Sequence, residues 1–405
     1  MNRAGRIAGA GRMAASLWIL LLPLLTGCWD RVEINDLALV TAAGLDKGNG
    51  NTIKLSLQLA VPAAMPGATG GGEGMGSSGS GGGKPTIVAA AEGVTIPDAM
   101  SKLQEKLPRR IFWGNNRVIV IGEDLAREGI VPHVDFFARF PRNRLHAFVF
   151  VSKGDAEQVL AHIPPIERNA AEAMRELAEF RFGKRTTLKD LLQKLHTEQQ
   201  TVIVPWIEET AVDGNQDRGT LLRLNGAAIF KGGKMIGYAD DRLMRGILWV
   251  RDEIETATIT AKVDRDGYIS MQQLKAHTTM RPSIHNGKWK LTLDIITDDD
   301  VVHNASTLDP DDPKVAKMLE NKTEEIINIR VREALDLAQK QLKADIFGFG
   351  EAFRRAYPKE WQAAKTRWNE IFPTVEVTVR VKASVRRAGL TNVPPAIPES
   401  EVKKK

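Results

Sequence analysis

Cysteine is almost absent from this sequence: Cys28 is the only one among 405 residues. No intramolecular disulfide can form, so the stability of the fold must come from its hydrophobic cores. Beyond Cys28 no apolar run approaches the length of about 18 residues that is typical of a membrane-spanning helix. We therefore expect the sequence after Cys28 to fold in water.

Motifs for catalysis and metal binding are also missing. The seven histidines show no His-x-x-x-His spacing, and a single cysteine excludes a Cys-x-x-Cys pair, so no local zinc site is present. No Gly-x-Ser-x-Gly sequence marks a nucleophile elbow. We predict no catalytic residue, no metal and no cofactor, although residues distant in sequence could still meet in space.

Excess positive charge is small once the first 27 residues are set aside. The formal net charge is +6, but residues 1–27 contain Arg3, Arg6 and Arg12 and no acid. The formal charge of the remaining residues is therefore only +3. A balance of this kind gives no strong indication of a nucleic-acid partner.

The first 27 residues have the layout of a secretory signal peptide. A basic start precedes an apolar run over residues 13–25, which only Ser16 and Pro23 interrupt. This run is too short to span a bilayer as a helix, which needs about 20 residues. We therefore predict a signal peptide over residues 1–27.

The residues at the expected cleavage point resemble a bacterial lipobox: Leu25-Thr26-Gly27-Cys28. In such signals the cysteine thiol receives a diacylglycerol, and cleavage occurs just before the cysteine. We therefore predict that Cys28 is lipidated and that its acyl lipid anchors the mature chain to a membrane. The alternative is an ordinary signal peptide in which Cys28 falls near the end by chance.

Alternating strand and helix patterns indicate the α+β class. Apolar and polar residues alternate over residues 52–61, which predicts a half-buried strand that forms a hairpin with the run before it. Pro313 opens a long amphipathic pattern, which predicts a helix over residues 313–343.

The length suits two or three domains, and the order of the predicted elements suggests their boundaries. We predict an N-terminal α+β domain over residues 28–200, with a flexible Gly/Ser-rich loop at 66–84 and trailing helices. A β-rich middle domain follows over 201–300. A C-terminal α+β domain over 301–390 contains the long helix, and the Pro- and Lys-containing tail at 391–405 is expected to be disordered.

Aromatic side chains cluster at two places beside glycines, and both clusters have two interpretations. They could be core anchors, or they could form a docking surface for a partner, where aromatic residues are enriched. The candidate partner-binding residues are Phe112, Trp113, Asn115, Phe347, Phe349, Trp361 and Trp368.

Acidic residues are concentrated between positions 298 and 312. Asp298, Asp299 and Asp300 form one run, and Asp309, Asp311 and Asp312 form another. Carboxylates could bind a divalent cation, but no EF-hand spacing is present. The simpler interpretation is that these are solvated loop acids, and that Asp311 or Asp312 caps the helix that begins at Pro313.

Several segments resemble the C subunit of spore germinant receptors, the Ger(x)C lipoprotein family. The matching segments begin directly at the predicted anchor and continue through most of the chain. They are residues 28–34, 44–46, 110–130 and 135–139, then 226–230 with Gly237, and 345–351 with Pro358, Trp361 and Trp368. The Gly/Ser-rich insert at 66–84 departs from the family pattern.

The resemblance implies a fold of three α+β domains and a function without catalytic residues. It implies a lipoprotein on the outer face of the spore's inner membrane, acting with integral-membrane A and B subunits in nutrient-triggered germination. The alternatives are an extracytoplasmic solute-binding lipoprotein, which would have two α/β lobes, and a cell-envelope hydrolase, which the missing motifs disfavour.

Overall fold

The computed structural model describes residues 36–61, 85–180, 183–212, 215–263 and 267–387. The predicted signal peptide, Cys28, the loop at 66–84 and the tail at 391–405 lie outside the described residues. Removing residues 1–27 would therefore remove none of the helices and strands described below.

A nine-stranded mixed sheet organises the first part of the chain. Its strands are β1 (Leu37–Lys47), β2 (Ile53–Ala60), β3 (Thr86–Gly93), β4 (Arg110–Phe112), β5 (Val118–Gly122), β6 (Phe148–Ser152), β7 (Thr201–Val212), β8 (Asn215–Lys231) and β9 (Lys234–Ala239). Eight strands lie in the order β3-β2-β1-β5-β6-β7-β8-β9, and β4 pairs with the start of β1. The central pairs are parallel: β1 with β4, β1 with β5, β5 with β6, and β6 with β7. The outer pairs are antiparallel.

Helices cover both faces of this sheet. They are α1 (Ile96–Lys106), α2 (Glu123–Glu128), α3 (Val131–Arg139), α4 (Ala156–Ala161), α5 (Ala170–Glu179) and α6 (Leu188–Leu195). Apolar residues of α1, α2, α3 and α6 form a core with one face, and those of α4 and α5 form a second core with the other. Side chains cap several of these helices; Thr187 and Asp190, for example, form a reciprocal capping box at the start of α6.

The predicted hairpin of β1 and β2 is present, but β2 is not half-buried. Its apolar residues are buried as expected, yet Ser56 and Gln58 on its other face are fully buried too. The Gln58 amide nitrogen donates to the Leu160 carbonyl at 2.7 Å, and its oxygen accepts from the Thr41 hydroxyl at 2.9 Å. Helices α4 and α5 cover this face, so Gln58 is satisfied inside the protein, whereas the buried Ser56 hydroxyl has no hydrogen-bond partner among the described residues.

A four-stranded sheet organises the second part. Helix α7 (Asp241–Val250) leads to β10 (Thr258–Lys262), β11 (Tyr268–His285) and β12 (Lys288–Ala305), and the last strand is β13 (Glu376–Arg387). The strand order is β10-β11-β12-β13, and only β12 and β13 are parallel to each other. Between β12 and β13 lie α8 (Pro313–Asp336), a π-helical turn (Leu337–Leu342), α9 (Phe349–Ala356), α10 (Pro358–Ala364) and α11 (Trp368–Ile371).

Helix α7 joins the two sheets through one hydrophobic core. That core contains Ile203 and Ile229 from the first sheet, Ile247 from α7, and Leu293 from the second. A Cβ added to Gly246 of α7 would lie 2.2 Å from the carbonyl oxygen of Arg330, so α7 packs directly on the backbone of α8. The Trp249 indole also donates to Gln273 of β11 at 3.0 Å.

The α+β class expected from the sequence is confirmed. The predicted domain boundary at residue 200 falls within the first sheet, because β7 pairs with β6 across it. The boundary predicted at residue 300 falls inside β12. The number of domains stays a prediction. Among the described residues, no helix is both long enough and apolar enough to cross a membrane.

Candidate functional site

The first predicted aromatic cluster forms part of the core beneath the first sheet. Trp113 is 1% exposed, and its ring lies edge-on to Phe136, Phe137 and Phe140 at centroid distances of 6.0 to 6.2 Å. Phe112 and Asn115 are half-buried. The structure therefore favours the core interpretation for Trp113 over a docking surface.

The second aromatic cluster is also internal. Phe347 and Phe349 stack at 5.1 Å, and Trp361 meets Trp368 edge-on at the same centroid distance. All four side chains are at most 4% exposed. The expectation that they face a partner conflicts with this burial, because the fold uses their apolar area to pack the second sheet against α9, α10 and α11.

Asp345 holds the backbone of the loop between these aromatics. Its Oδ1 accepts the N–H groups of Phe347, Gly348 and Phe349 at 3.2, 2.9 and 3.0 Å. Its Oδ2 accepts the Gly350 N–H at 2.7 Å and the Trp368 indole N–H at 3.0 Å. One buried carboxylate thus satisfies five donors and fixes the start of α9.

A polar cleft of about 780 Å³ lies beside this loop, between the two halves of the protein. Strand β7 contributes Thr201 and Ile203, the end of α7 contributes Leu248 and Arg251, and the loop contributes Asp345 and Gly348. The cleft therefore brings together the first sheet, α7 and the segment that precedes α9.

Three partly buried charged residues line the cleft: Lys184, Arg251 and Glu253. Glu253 accepts from Lys184 at 2.8 Å and from Arg251 at 2.6 Å, and Arg251 also donates to the Ile346 carbonyl at 2.6 Å. Burial alone would raise the pKa of Glu253, but the two cations outweigh it and lower the pKa to about 2. Burial and the neighbouring Arg251 lower the pKa of Lys184. The ion pairs of Glu253 with Lys184 and Arg251 thus link the sides of the cleft.

Sequence patterns did not reveal this network. Lys184 and Glu253 are 69 positions apart and belong to different halves of the structure. The role of Asp345 had a visible signal, since an aspartate followed by Gly348 and Gly350 is typical of a side chain that caps its own backbone.

Asp252, His277 and Thr279 are arranged as the acid, imidazole and hydroxyl of a catalytic triad would be. His277 Nδ1 lies 2.9 Å from an Asp252 oxygen, and its Nε2 lies 3.5 Å from the Thr279 hydroxyl. The second distance is at the limit of a hydrogen bond, and the imidazole is 69% exposed. Asp252 also accepts the Thr278 N–H at 2.7 Å, so we interpret the contact as support for the turn after α7.

The first acidic run is not in a loop, which corrects our expectation. Asp298, Asp299 and Asp300 belong to β12, where they pair with both β11 and β13. Asp312 caps α8 by accepting the Lys314 N–H at 2.8 Å, one of the two caps expected. Within the described ranges, no group of three or more histidines, cysteines or carboxylates could hold a metal ion.

Asp299 is a buried acid with an altered ionisation. It is fully buried, and burial raises its pKa to about 6, although the Thr297 hydroxyl donates to it at 2.8 Å. The folded protein therefore holds this proton more tightly than the unfolded chain. Stability falls as the pH rises from the unfolded value of 3.8 through about 6.

Asp299→Asn should remove this pH-dependent loss. At about pH 8 we expect the variant to gain stability over the parent by up to roughly 3 kcal/mol, and at about pH 4 we expect most of that gain to vanish. Urea unfolding at both pH values measures it. Asp298→Asn is the matched control, since Asp298 pairs with Arg386 at 2.8 Å. A gain for Asp299→Asn of equal size at both pH values would contradict the assignment.

The fold and this cleft together define an α+β protein of two sheets that share a core around α7. The comparison with known families assigns it further. The model described as the spore germination protein N-terminal domain matches residues 30–209, and the model described as spore germination B3/GerAC like, C-terminal, matches residues 225–389. The chain belongs to the Ger(x)C family of spore germination proteins, and the family recognised from the sequence is confirmed.

Relatives match over nearly the whole length. YfkR of Bacillus subtilis (strain 168) is 29% identical over 373 residues, which cover 92% of this chain and 95% of YfkR. Spore germination protein KC of the same organism is 26% identical over 401 residues, covering 94% of this chain and 97% of that protein. The crystal structure of the GerBC protein shares the fold with a TM-score of 0.52 and 18% identity, covering 85% of this chain and 97% of that one.

Proposed function

We propose that this protein is the lipid-anchored C subunit of a spore germinant receptor. Its lipid is a diacylglycerol on Cys28, and it lies on the outer face of the spore's inner membrane. It acts by contact with integral-membrane A and B subunits rather than by catalysis, and it triggers germination in response to a nutrient.

The match to spore germination proteins over almost the entire chain is the observation that carries this proposal. The lipobox-like sequence before Cys28 supports the anchor, because one or more acyl chains hold a folded protein at a bilayer without a spanning helix. The paired charges of the cleft support a role without chemistry, since Glu253 already engages both neighbouring cations.

Cys28→Ala tests the anchor. We expect the variant to move from the membrane fraction to the soluble fraction and to weaken germination. Its N-terminal residue should also lack the mass of the acyl lipid, because the Cys28 sulfur is the atom to which the lipid would be bound. Thr26→Ala is the matched control, since it keeps a small residue before the cleavage point and should remain anchored.

The partners need a separate experiment. In a strain that lacks the A and B subunits, Cys28→Ala should leave the membrane completely, whereas docking could retain part of it in the presence of the partners. Co-purification from solubilised membranes should recover both integral subunits with the parent chain. Membrane retention of Cys28→Ala without the partners would refute the anchor, and recovery of the chain alone would refute the complex.

A solute-binding lipoprotein is the alternative function, and its ligand would occupy the cleft. To use the charges of Lys184, Arg251 and Glu253, such a ligand would have to compete with the ion pairs that these groups already form. Tight binding of a small nutrient by the isolated protein would favour this alternative.

A further inference from the structure

One edge of the first sheet collects the starts of its parallel strands. Strands β1, β4, β5 and β6 run in the same direction, so the segments that lead into them reach the sheet at the same edge. Leu37 pairs with Arg110 there, and Asp36 is the first described residue of the chain. We call this edge, with the loops that enter it, the entry edge.

Positive charge is concentrated at the entry edge. Arg109 precedes β4 and Arg110 is its first residue, Arg117 precedes β5, and Arg142 and Arg144 lie in the loop before β6; all five are exposed. Lys189 joins them, because its N–H donates to the Leu145 carbonyl at 2.9 Å. None of these six side chains forms a salt bridge with a carboxylate of the described residues; the acids of this edge include Asp36, which precedes β1, and Asp190, which follows Lys189.

Contacts in the core hold the charged loops together. Phe140, at the start of the loop before β6, packs on Trp113, which directly follows β4. The Phe148 N–H donates to the Arg117 carbonyl at 2.9 Å, which ties the start of β6 to the residue before β5. Leu145, between two exposed neighbours, is itself 46% exposed and adds an apolar group among the charges.

The predicted anchor is close to this edge along the chain. Only seven residues lie between Cys28 and Asp36, and the eight steps from one residue to the next span at most roughly 29 Å in any conformation. A lipid on Cys28 would therefore keep the entry edge near the bilayer surface, within a few Debye lengths at physiological salt.

We infer that the entry edge is a membrane-binding surface for anionic lipid headgroups, which would orient the protein on the bilayer. This inference rests on the proposed anchor for its location. Arginine side chains pair with phosphate groups through several N–H donors, and clusters of basic residues beside an anchor add to membrane affinity. Leu145 would enter the headgroup region between them.

Binding to vesicles tests this surface without the lipid. The protein is residues 28–405 with Cys28→Ala, which keeps every described element. We expect it to sediment with phosphatidylglycerol–phosphatidylcholine vesicles at low salt, to be released as salt rises, and to ignore pure phosphatidylcholine. Arg142→Glu with Arg144→Glu should weaken binding at least tenfold, since one basic residue contributes about fivefold.

The matched control reverses the same charge elsewhere. Arg380→Glu with Lys382→Glu changes two exposed residues of β13 and should leave binding within about twofold of the parent. Thermal unfolding checks that each variant is folded, and Arg142→Gln with Arg144→Gln replaces the reversal if it is not.

Three results would overturn the inference: no binding to anionic vesicles, an equal loss in the control, or unchanged binding after the loop reversal. Loss of co-purifying A and B subunits with unchanged vesicle binding would make the edge a protein interface instead. None of these results would contradict the proposed lipid anchor, because the anchor is tested separately by membrane fractionation of Cys28→Ala.

Discussion

Asp345→Asn is expected to lower the free energy of unfolding by roughly 3–5 kcal/mol. The substitution keeps the shape of the side chain but turns one acceptor into a donor. The new amide nitrogen would face either three backbone N–H groups on one side or those of Gly350 and the Trp368 indole on the other. Buried donors that lose their acceptor carry the desolvation cost, and here at least two lose it together.

Urea unfolding followed by tryptophan fluorescence measures this loss, since Trp368 reports on the site directly. Asp312→Asn is the matched control: the asparagine oxygen can still accept the one exposed N–H at the start of α8, so the loss of stability should stay below about 1 kcal/mol. A loss for Asp345→Asn no larger than this would contradict the five-donor arrangement.

A double-mutant cycle separates the indole from the backbone donors. Trp368→Phe removes one donor that Asp345→Asn would leave unpaired, so the second substitution should cost less in that background, by about 1 kcal/mol or more. If the stability losses of the two single variants simply added up in the double variant, the hydrogen bond from the Trp368 indole to Asp345 would contribute nothing to stability.

Gly226→Ala should destabilise the protein by roughly 3 kcal/mol or more. Gly226 has a φ of +77° at the point where the register between β7 and β8 shifts. A Cβ at this position would lie 1.9 Å from the Ala239 carbonyl oxygen and 2.8 Å from the Asp240 Cα. The strand end that leads into α7 would have to move.

Gly287→Ala is the control that measures the cost of a positive φ for alanine without a steric clash of its Cβ. Its φ is +76°, almost identical to that of Gly226, but an added Cβ would have nothing within 4 Å. We expect Gly287→Ala to cost only about 1–2 kcal/mol in thermal or urea unfolding. Equal losses at both positions would show that the close approach at Gly226 relaxes without cost.

Local patterns predicted the elements well because their causes are local. The β1–β2 hairpin follows from alternation and from the turn between the strands, and α8 begins at Pro313 because Asp312 caps it. What covers each face is decided elsewhere in the chain. The alternation predicts that Ser56 and Gln58 face solvent, but α4 and α5 lie over them and bury them.

Interactions between distant residues explain the remaining differences. The aromatic residues near positions 113 and 361 have a composition that suits a core or an interface equally, and only their burial separates the two. The first sheet runs past residue 200 because β7 adds to β6, a pairing that no local signal marks. The network of Lys184, Arg251 and Glu253 likewise depends on how the two halves meet.

The packing of α7 has a mechanical consequence. Because Gly246 lies against the α8 backbone and its neighbours belong to a core shared by both sheets, the described parts of the two halves pack together through α7. A push delivered to the second sheet would turn α7 and reach β7 to β9 as a rigid displacement. The protein would thus transmit a force on one half to the other through the contact between α7 and α8, without bending between the halves.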